Sequence, residues 1–316
     1  MAIKASVINF KGGVGKTTLA FHLSAHLART HRVLMIDVDH QSSLSAVVLS
    51  ARLWQQCQQS GLTSNRIFEA YCNRRVLAPG AEIIFKNPLH ARQPKYNFYP
   101  NLDIVPAQFE LDDTEIEMAN TSIGGSTVAE WDKRTLLAEW LDRANADTNY
   151  DYIIFDCPPA TKLVSQNALA ASKYFVVPVI PDDLSTRGVA HFLTLVSGKI
   201  DARLEHLRTA APIAPSSVPK NYVTGTKLAA IVPFMAKSAG RAKSGMTNIH
   251  TRNLTGLKIR YKNDVIGTTI KHMTGIPEST AMGWPVWNVQ GQTANISPAV
   301  IKMMSDACSA VAQRLV

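Results

Sequence analysis

Cysteine is scarce: the four in this chain of 316 residues, Cys57, Cys72, Cys157 and Cys308, include no C-x-x-C pair. A thiolate metal knuckle and a disulfide framework are thereby excluded, and the four read as reduced thiols of a cytoplasmic protein. Long apolar runs are also missing. Although 46% of the residues are hydrophobic, no stretch approaches the roughly 20 apolar residues of a membrane-spanning helix. The N-terminus enters an apolar strand pattern without a basic leader, so no secretory signal is expected. Acid is the scarcer charge, with 24 Asp and Glu against 33 Lys and Arg, a net charge of +9. A chain of this composition buries a sizeable core, and its length suits a single α/β unit, residues 1–316, carrying insertions.

What is present is concentrated near the N-terminus. Residues 3–18 read IKASVINFKGGVGKTT: an apolar strand run, a glycine-rich loop, and a helix opening at Thr17. Gly12, Gly13 and Gly15 let the backbone curl with its N–H groups inward, at the positive end of the following helix, where phosphate oxygens are stabilised. Lys16 at this spacing reaches β- and γ-phosphates, and the Thr17 hydroxyl is placed to ligate Mg²⁺. The strict G-x-x-x-x-G-K-[ST] pattern fails, because Phe10 occupies the place of its first glycine. A second lysine, Lys11, stands at the head of the loop instead.

KGGVGKTT, Lys11 to Thr18, resembles the deviant Walker A box of the ParA/MinD family of dimeric ATPases. The resemblance implies a three-layer P-loop NTPase fold with a mostly parallel, doubly wound sheet, and a nucleotide held by Lys11, Gly12, Gly13, Val14, Gly15, Lys16, Thr17 and Thr18. It also implies that Lys11 crosses to the partner subunit's nucleotide in an ATP-bound homodimer. VLMID (residues 33–37) is an apolar run ending in acid, and in open α/β sheets ligands lie beyond such strand ends. IDVDHQSS resembles the family's D-x-D-P-Q switch, in which Asp37 supports the Mg²⁺ shell and Asp39 orients the attacking water. His40 stands where that family has proline. YDYIIFDCPP (residues 150–159) reads as a Walker B strand whose Asp156 supports Mg²⁺. The stretch PVIPDD, Pro178 to Asp183, resembles the family's base-contacting loop, making Pro178 and Asp182 candidate adenine contacts. No N-K-x-D favours guanine, so ATP and Mg²⁺ are the expected cofactors.

Between these anchors the periodicity predicts helices over 17–28, 43–59, 65–72, 133–146, 163–171, 184–207 and 297–316, and strands over 102–106, 174–178, 228–234 and 265–270, with a short one near Ile83. Residues 60–100 read as a variable insertion whose aromatics pin it to the body. Between Lys220 and His272 lie ten basic residues against the single acid Asp264, so this segment carries the whole net charge. Such an asymmetry is the footprint of a polyanion partner. Arg252, Lys258, Arg260 and Lys262 are the expected contacts to DNA, bound without sequence preference, as the family's partition proteins do. The last helix carries Lys302, Asp306 and Arg314 among core-spaced apolar residues and reads as packing, not as a membrane anchor. The resemblance implies a nucleoid-associated partition ATPase stimulated by a centromere-binding or cargo-adaptor protein. Positioning of a protein cargo or organelle, or a membrane-associated MinD-like role, are the alternatives.

Overall fold

A computed structural model describes all residues except 97, 211–212, 239–244 and 289–295. Six apolar runs form its centre: β1 (Ile3–Val7), β2 (Val33–Asp37), β3 (Leu102–Val105), β4 (Tyr152–Asp156), β5 (Tyr174–Val179) and β6 (Lys227–Pro233). They pair in the order β3-β2-β4-β1-β5-β6, every neighbour parallel. Parallel neighbours need crossovers, and helices supply them. α1 (Lys16–Leu27) joins β1 to β2. The long connection from β2 to β3 contains α2 (Ser43–Val48), α3 (Ala51–Gln59), α4 (Asn65–Cys72) and α5 (Pro88–Arg92). Before β4 come α6 (Leu111–Asn120), α7 (Ser126–Arg143) and α8 (Ala146–Asn149), and before β5 comes α9 (Leu163–Ala170). α10 (Asp183–Leu195) and α11 (Ala202–Ala210) precede β6, and α12 (Asn248–Tyr261), α13 (Gly275–Ala281) and α14 (Pro298–Ala312) follow it.

Successive strand residues point to opposite faces, and here both faces are apolar. Met35, Ile154, Val176 and Val232 pack with Leu19, Leu23 and Met304 of α1 and α14 in one cluster. Leu34, Ile36, Ile153, Phe155 and Val177 pack with Leu137, Trp140, Leu169 and Phe192 in another. Each such side chain contributes about 1.5–3 kcal/mol by leaving water, so a sheet covered on both sides is the stable arrangement. The three-layer doubly wound fold expected from the sequence is the one that forms, with its sheet parallel throughout.

Several boundaries differ from the periodicity reading. The helix expected over 43–59 is broken at Leu49 and Ser50, both extended, because the Ser50 hydroxyl accepts the Leu53 N–H and starts α3 afresh. No strand forms at Ile83: residues 81–83 make a 3-10 turn, and Phe85 pairs with Ile104 in a single antiparallel bridge. Residues 265–270 run beside β6 without forming a regular strand: Val265 bridges Ile231, exposed Gly267 interrupts the pairing, and Ile270 N–H donates to the Pro233 carbonyl at 2.8 Å. Between α10 and α11 the helical path continues through a π-type stretch, Val196–Asp201. The basic segment, to which the periodicity assigns no element before residue 265 other than the strand over 228–234, folds as α12 from Asn248, and Arg241 and Lys243 lie outside the described residues. The insertion's aromatics do pin it to the body, since Tyr96 and Phe98 pack on Trp284 at ring-centroid distances of 5.3 and 5.6 Å.

Candidate nucleotide-binding site

The order of the strands gathers the sequence motifs at one edge. β2, β4 and β1 are consecutive neighbours, and Asp37 and Asp156, last residues of β2 and β4, are register partners. The loop leaving β1 passes over the same edge into α1. Gly15 adopts a φ of 89°, and a Cβ there would come within 2.5 Å of the Phe234 ring. Both the left-handed backbone and the packing therefore demand glycine. Gly13 is also left-handed, at φ 70°. Lys16 is buried beneath the loop, with its ammonium donating to the Lys11 carbonyl at 3.2 Å.

Three carboxyl groups meet below this lysine. Asp37 is fully buried and accepts hydrogen bonds from Ser45 N–H (2.8 Å), Ser45 Oγ (2.7 Å) and Asp39 N–H (3.1 Å). Burial nonetheless pushes its pKa up to about 7, with the Asp39 charge adding to the effect. Asp156 is also fully buried, and neither of its oxygens receives a hydrogen bond of ordinary geometry. Burial and the adjacent Asp37 raise its pKa well above the carboxylate range, only partly offset by the Thr17 hydroxyl and the Lys16 ammonium nearby. Burial in turn lowers the Lys16 pKa, against the pull of Asp156 and Asp39. Asp39 orders the following turn by accepting the Gln41 N–H at 3.0 Å, and His40 Nδ1 lies 3.7 Å from it.

An unpartnered buried carboxylate beside a second one is costly unless a cation joins it. No three His, Cys, Asp or Glu side chains among the described residues could hold a metal by themselves. Mg²⁺ fits such a site, because it keeps several waters and takes few protein ligands plus phosphate oxygens. Thr17 would supply the direct ligand, with Asp37 and Asp156 behind it. The cleft above holds about 380 Å³, lined by Gly12, Gly13, Gly15, Lys16, Thr17, Thr18 and Asp39 of the predicted set.

Three predicted residues lie outside the cleft wall in the single chain. Pro178 is buried in β5 with its carbonyl accepting Asn9 Nδ2 at 2.7 Å, and Asp182 caps α10 by accepting the Ser185 N–H at 2.6 Å. Neither lines the cleft. Lys11 reaches back within its own chain to Asp182 at 2.8 Å and to Ser185 Oγ at 2.9 Å. The hydrogen bonds from Lys11 and Ser185 hold Asp182 below the usual carboxylate range, outweighing the burial that would raise it. The cleft wall also includes Met235 after β6 and Thr280 of α13, which the sequence reading does not name as site residues because both lie far along the chain from the phosphate loop. Asn9, whose Oδ1 accepts the Lys11 N–H at 3.1 Å, also escaped it, as did Ser45. Cys157 beside Asp156 is fully buried, and burial raises its thiol pKa, so it stays an unreactive thiol.

A glycine loop at a helix N-terminus, its lysine over two strand-end acids, defines a P-loop nucleotide site. A family profile described as "AAA domain" matches residues 3–208, and the chain belongs to that family, as a P-loop ATPase of the ParA/MinD type. It is 33% identical over 192 residues to the sporulation initiation inhibitor protein Soj of Bacillus subtilis, covering 60% of this chain and 63% of Soj. With the chromosome partitioning protein ParA of Caulobacter vibrioides it shares 27% over 205 residues, 63% of this chain and 65% of ParA. The matched region spans 43% to 65% of the length of the first curated relatives. Among solved structures, apo McdA of Cyanothece superimposes with a TM-score of 0.66 over 99% of this chain and 100% of McdA at 16% identity. An ATP complex of a McdA variant gives 0.65 over 99% and 96% at 18% identity. At such identities the likeness is one of fold.

Proposed function

We propose that this chain is a ParA-type ATPase that binds ATP with Mg²⁺, closes as a homodimer over two nucleotides, binds DNA without sequence preference, and hydrolyses ATP slowly until a centromere-binding or cargo-adaptor protein stimulates it. The observation that carries the reading is the register pairing of Asp37 with Asp156 beneath Lys16 and Thr17. That arrangement fits a cation and a polyphosphate. Bound Mg²⁺ would neutralise charge on the β- and γ-phosphate oxygens.

The chain's own groups divide the remaining work. Backbone N–H groups of Gly12 to Thr18 and the α1 N-terminus cradle phosphate oxygens. Lys16, freed from the Lys11 carbonyl, places its ammonium on the β- and γ-phosphates. Asp39 orients the attacking water, and the Gln41 N–H it accepts fixes its direction. Lys11 exchanges Asp182 for the phosphates of the second subunit, so the bond that holds it in the single chain is one that dimerisation must break. The membrane-anchored alternative gains no support from α14, whose apolar side packs on α1 through Val300, Met304, Ala307 and Val311. No helix among the described residues is long and apolar enough to cross a membrane.

Steady-state phosphate release with Mg²⁺, with EDTA, and with Mg²⁺ plus duplex DNA and the partner protein tests the proposal. Slow Mg²⁺-dependent turnover that rises with DNA and partner is expected. Absence of nucleotide binding in Mg²⁺ would overturn it.

A further inference from the structure

Outside the nucleotide cleft, the groove between α10 and α12 brings three arginines together. It holds about 340 Å³ and is lined by Arg187 of α10 and by Arg252, Asn253, Arg260 and Tyr261 of α12. Arg187 lies well before the basic segment and carries no signal of its own in the sequence. Among the described residues, neither Arg187 nor Arg260 has a carboxylate within 4 Å. The Arg260 guanidinium lies 5.5 Å from the centre of the Tyr261 ring. The Tyr261 hydroxyl is buried and without a hydrogen-bond partner. The Tyr261 ring forms part of the groove wall. Gly256 leaves the α12 backbone bare between Arg252 and Arg260, with nothing within 4 Å of where a Cβ would be.

Among the described residues, the acid paired to this groove's arginines is Asp183, the residue after the Lys11 partner Asp182. It holds Arg252 Nη2 at 3.1 Å, with the two side chains 50% and 72% exposed. Hydrogen bonds from Asn253 and Arg252 keep Asp183 below the usual carboxylate range. So exposed a pair is weak and readily exchanged for a stronger acceptor. Guanidinium forks match phosphate oxygens two at a time. Arg252 and Arg260 are two turns apart, about 12 Å along the helix, over which a duplex strand presents roughly three phosphates. That length suits a phosphodiester backbone better than a free phosphate.

We infer that the α10–α12 groove seats duplex phosphates on Arg187, Arg252 and Arg260, and that Asp183 is their built-in competitor, occupying Arg252 until a phosphate displaces it. This rests on the DNA-binding reading above and adds Arg187, the competitor and the location. Of the four residues expected from sequence, Arg252 and Arg260 line this groove, whereas Lys258 and Lys262 are exposed outside it.

The test is fluorescence anisotropy of two labelled duplexes of unrelated sequence with the full chain, Mg²⁺ and a slowly hydrolysed ATP analogue, at roughly 50 to 200 mM salt. Asp183→Asn should tighten binding about threefold, since it removes a repulsive charge and frees a guanidinium. Arg187→Gln should weaken both duplexes equally, about fivefold, and make the slope of log affinity against log salt shallower by about 0.9 for each phosphate left without its guanidinium. Millimolar inorganic phosphate should compete only weakly, and strong competition would overturn the duplex assignment in favour of a free-phosphate site. Nucleotide affinity, measured alongside, should stay unchanged in both variants. If wild type binds DNA but neither substitution alters affinity or slope, the groove assignment fails while the proposed function stands. If wild type binds no duplex at the lowest salt, the DNA reading fails and the groove assignment with it.

Discussion

The nucleotide cleft and the α10–α12 groove are both built to receive phosphate, yet they hold their charges in opposite ways. In the cleft, Lys16, Asp37, Asp39 and Asp156 are all buried, with Asp37 and Asp156 at strand ends fixed by sheet pairing. In the groove, Arg187, Arg252 and Arg260 are exposed, on helices whose packing sets the gap between them. Buried charge is worth much and tolerates little change; exposed charge is worth little singly and acts through number. The first arrangement selects one ligand geometry, and the second suits a polymer of repeating charge.

Lys16→Ala should produce the largest effect. Losing a cation that bonds two phosphates removes about 3–6 kcal/mol, a fall of a hundredfold or more in nucleotide affinity by fluorescent-analogue titration. Near-normal binding would take Lys16 out of the site. Asp39→Ala should leave that affinity intact and lower turnover by about 10²–10⁴, and unchanged turnover would mean that Asp39 does not position water.

Smaller effects separate scaffold from ligand contacts. His22, on α1 behind the loop, is fully buried, with Nδ1 donating to the Thr18 carbonyl and Nε2 accepting the Val286 N–H. Burial depresses its pKa to about 4, below the roughly 6.5 of an unfolded chain. The folded state thus binds fewer protons, so its stability is complete above pH 6.5 and lost as pH falls toward 4, by about 3 kcal/mol. Thermal melts at pH 7 and 4.5 should show a smaller acid loss in His22→Gln than in wild type, and equal losses would contradict this. Asp156→Asn should raise the melting stability of the nucleotide-free protein by about 1–2 kcal/mol, because it removes an unpartnered acid whose ionisation burial and Asp37 oppose. It should also weaken Mg²⁺-dependent nucleotide binding. A destabilised variant would mean that Asp156 is satisfied without a cation.

The same contrast explains what could be read before the structure. Lys11 to Thr18, Asp37 and Asp156 were legible because their chemistry depends on short spacing within one strand-loop unit, which sequence displays directly. The sheet was legible because runs such as VLMID and YIIFD are apolar on both faces. Met235, Thr280, Asn9 and Arg187 were not, since each matters through its neighbours far along the chain, and no local period marks them. Charge counting found the basic segment but not the acid that faces it. The Asp183 side chain belongs to another helix, 69 residues away from Arg252. Pro178 and Asp182 rest on the base-loop resemblance alone, and the hydrogen bonds they make with Asn9, Lys11 and Ser185 were not legible in it.

The central claim, that the Lys11 loop is one half of a nucleotide-closed pair, is tested most directly by solution mass. With Mg²⁺ and a slowly hydrolysed ATP analogue, light scattering should give twice the 34.6 kDa of the single chain, and the single-chain mass with ADP. Lys11→Ala should bind the analogue and remain single. A wild-type protein that stays single with the analogue bound, or a Lys11→Ala protein that doubles like wild type, would contradict the account.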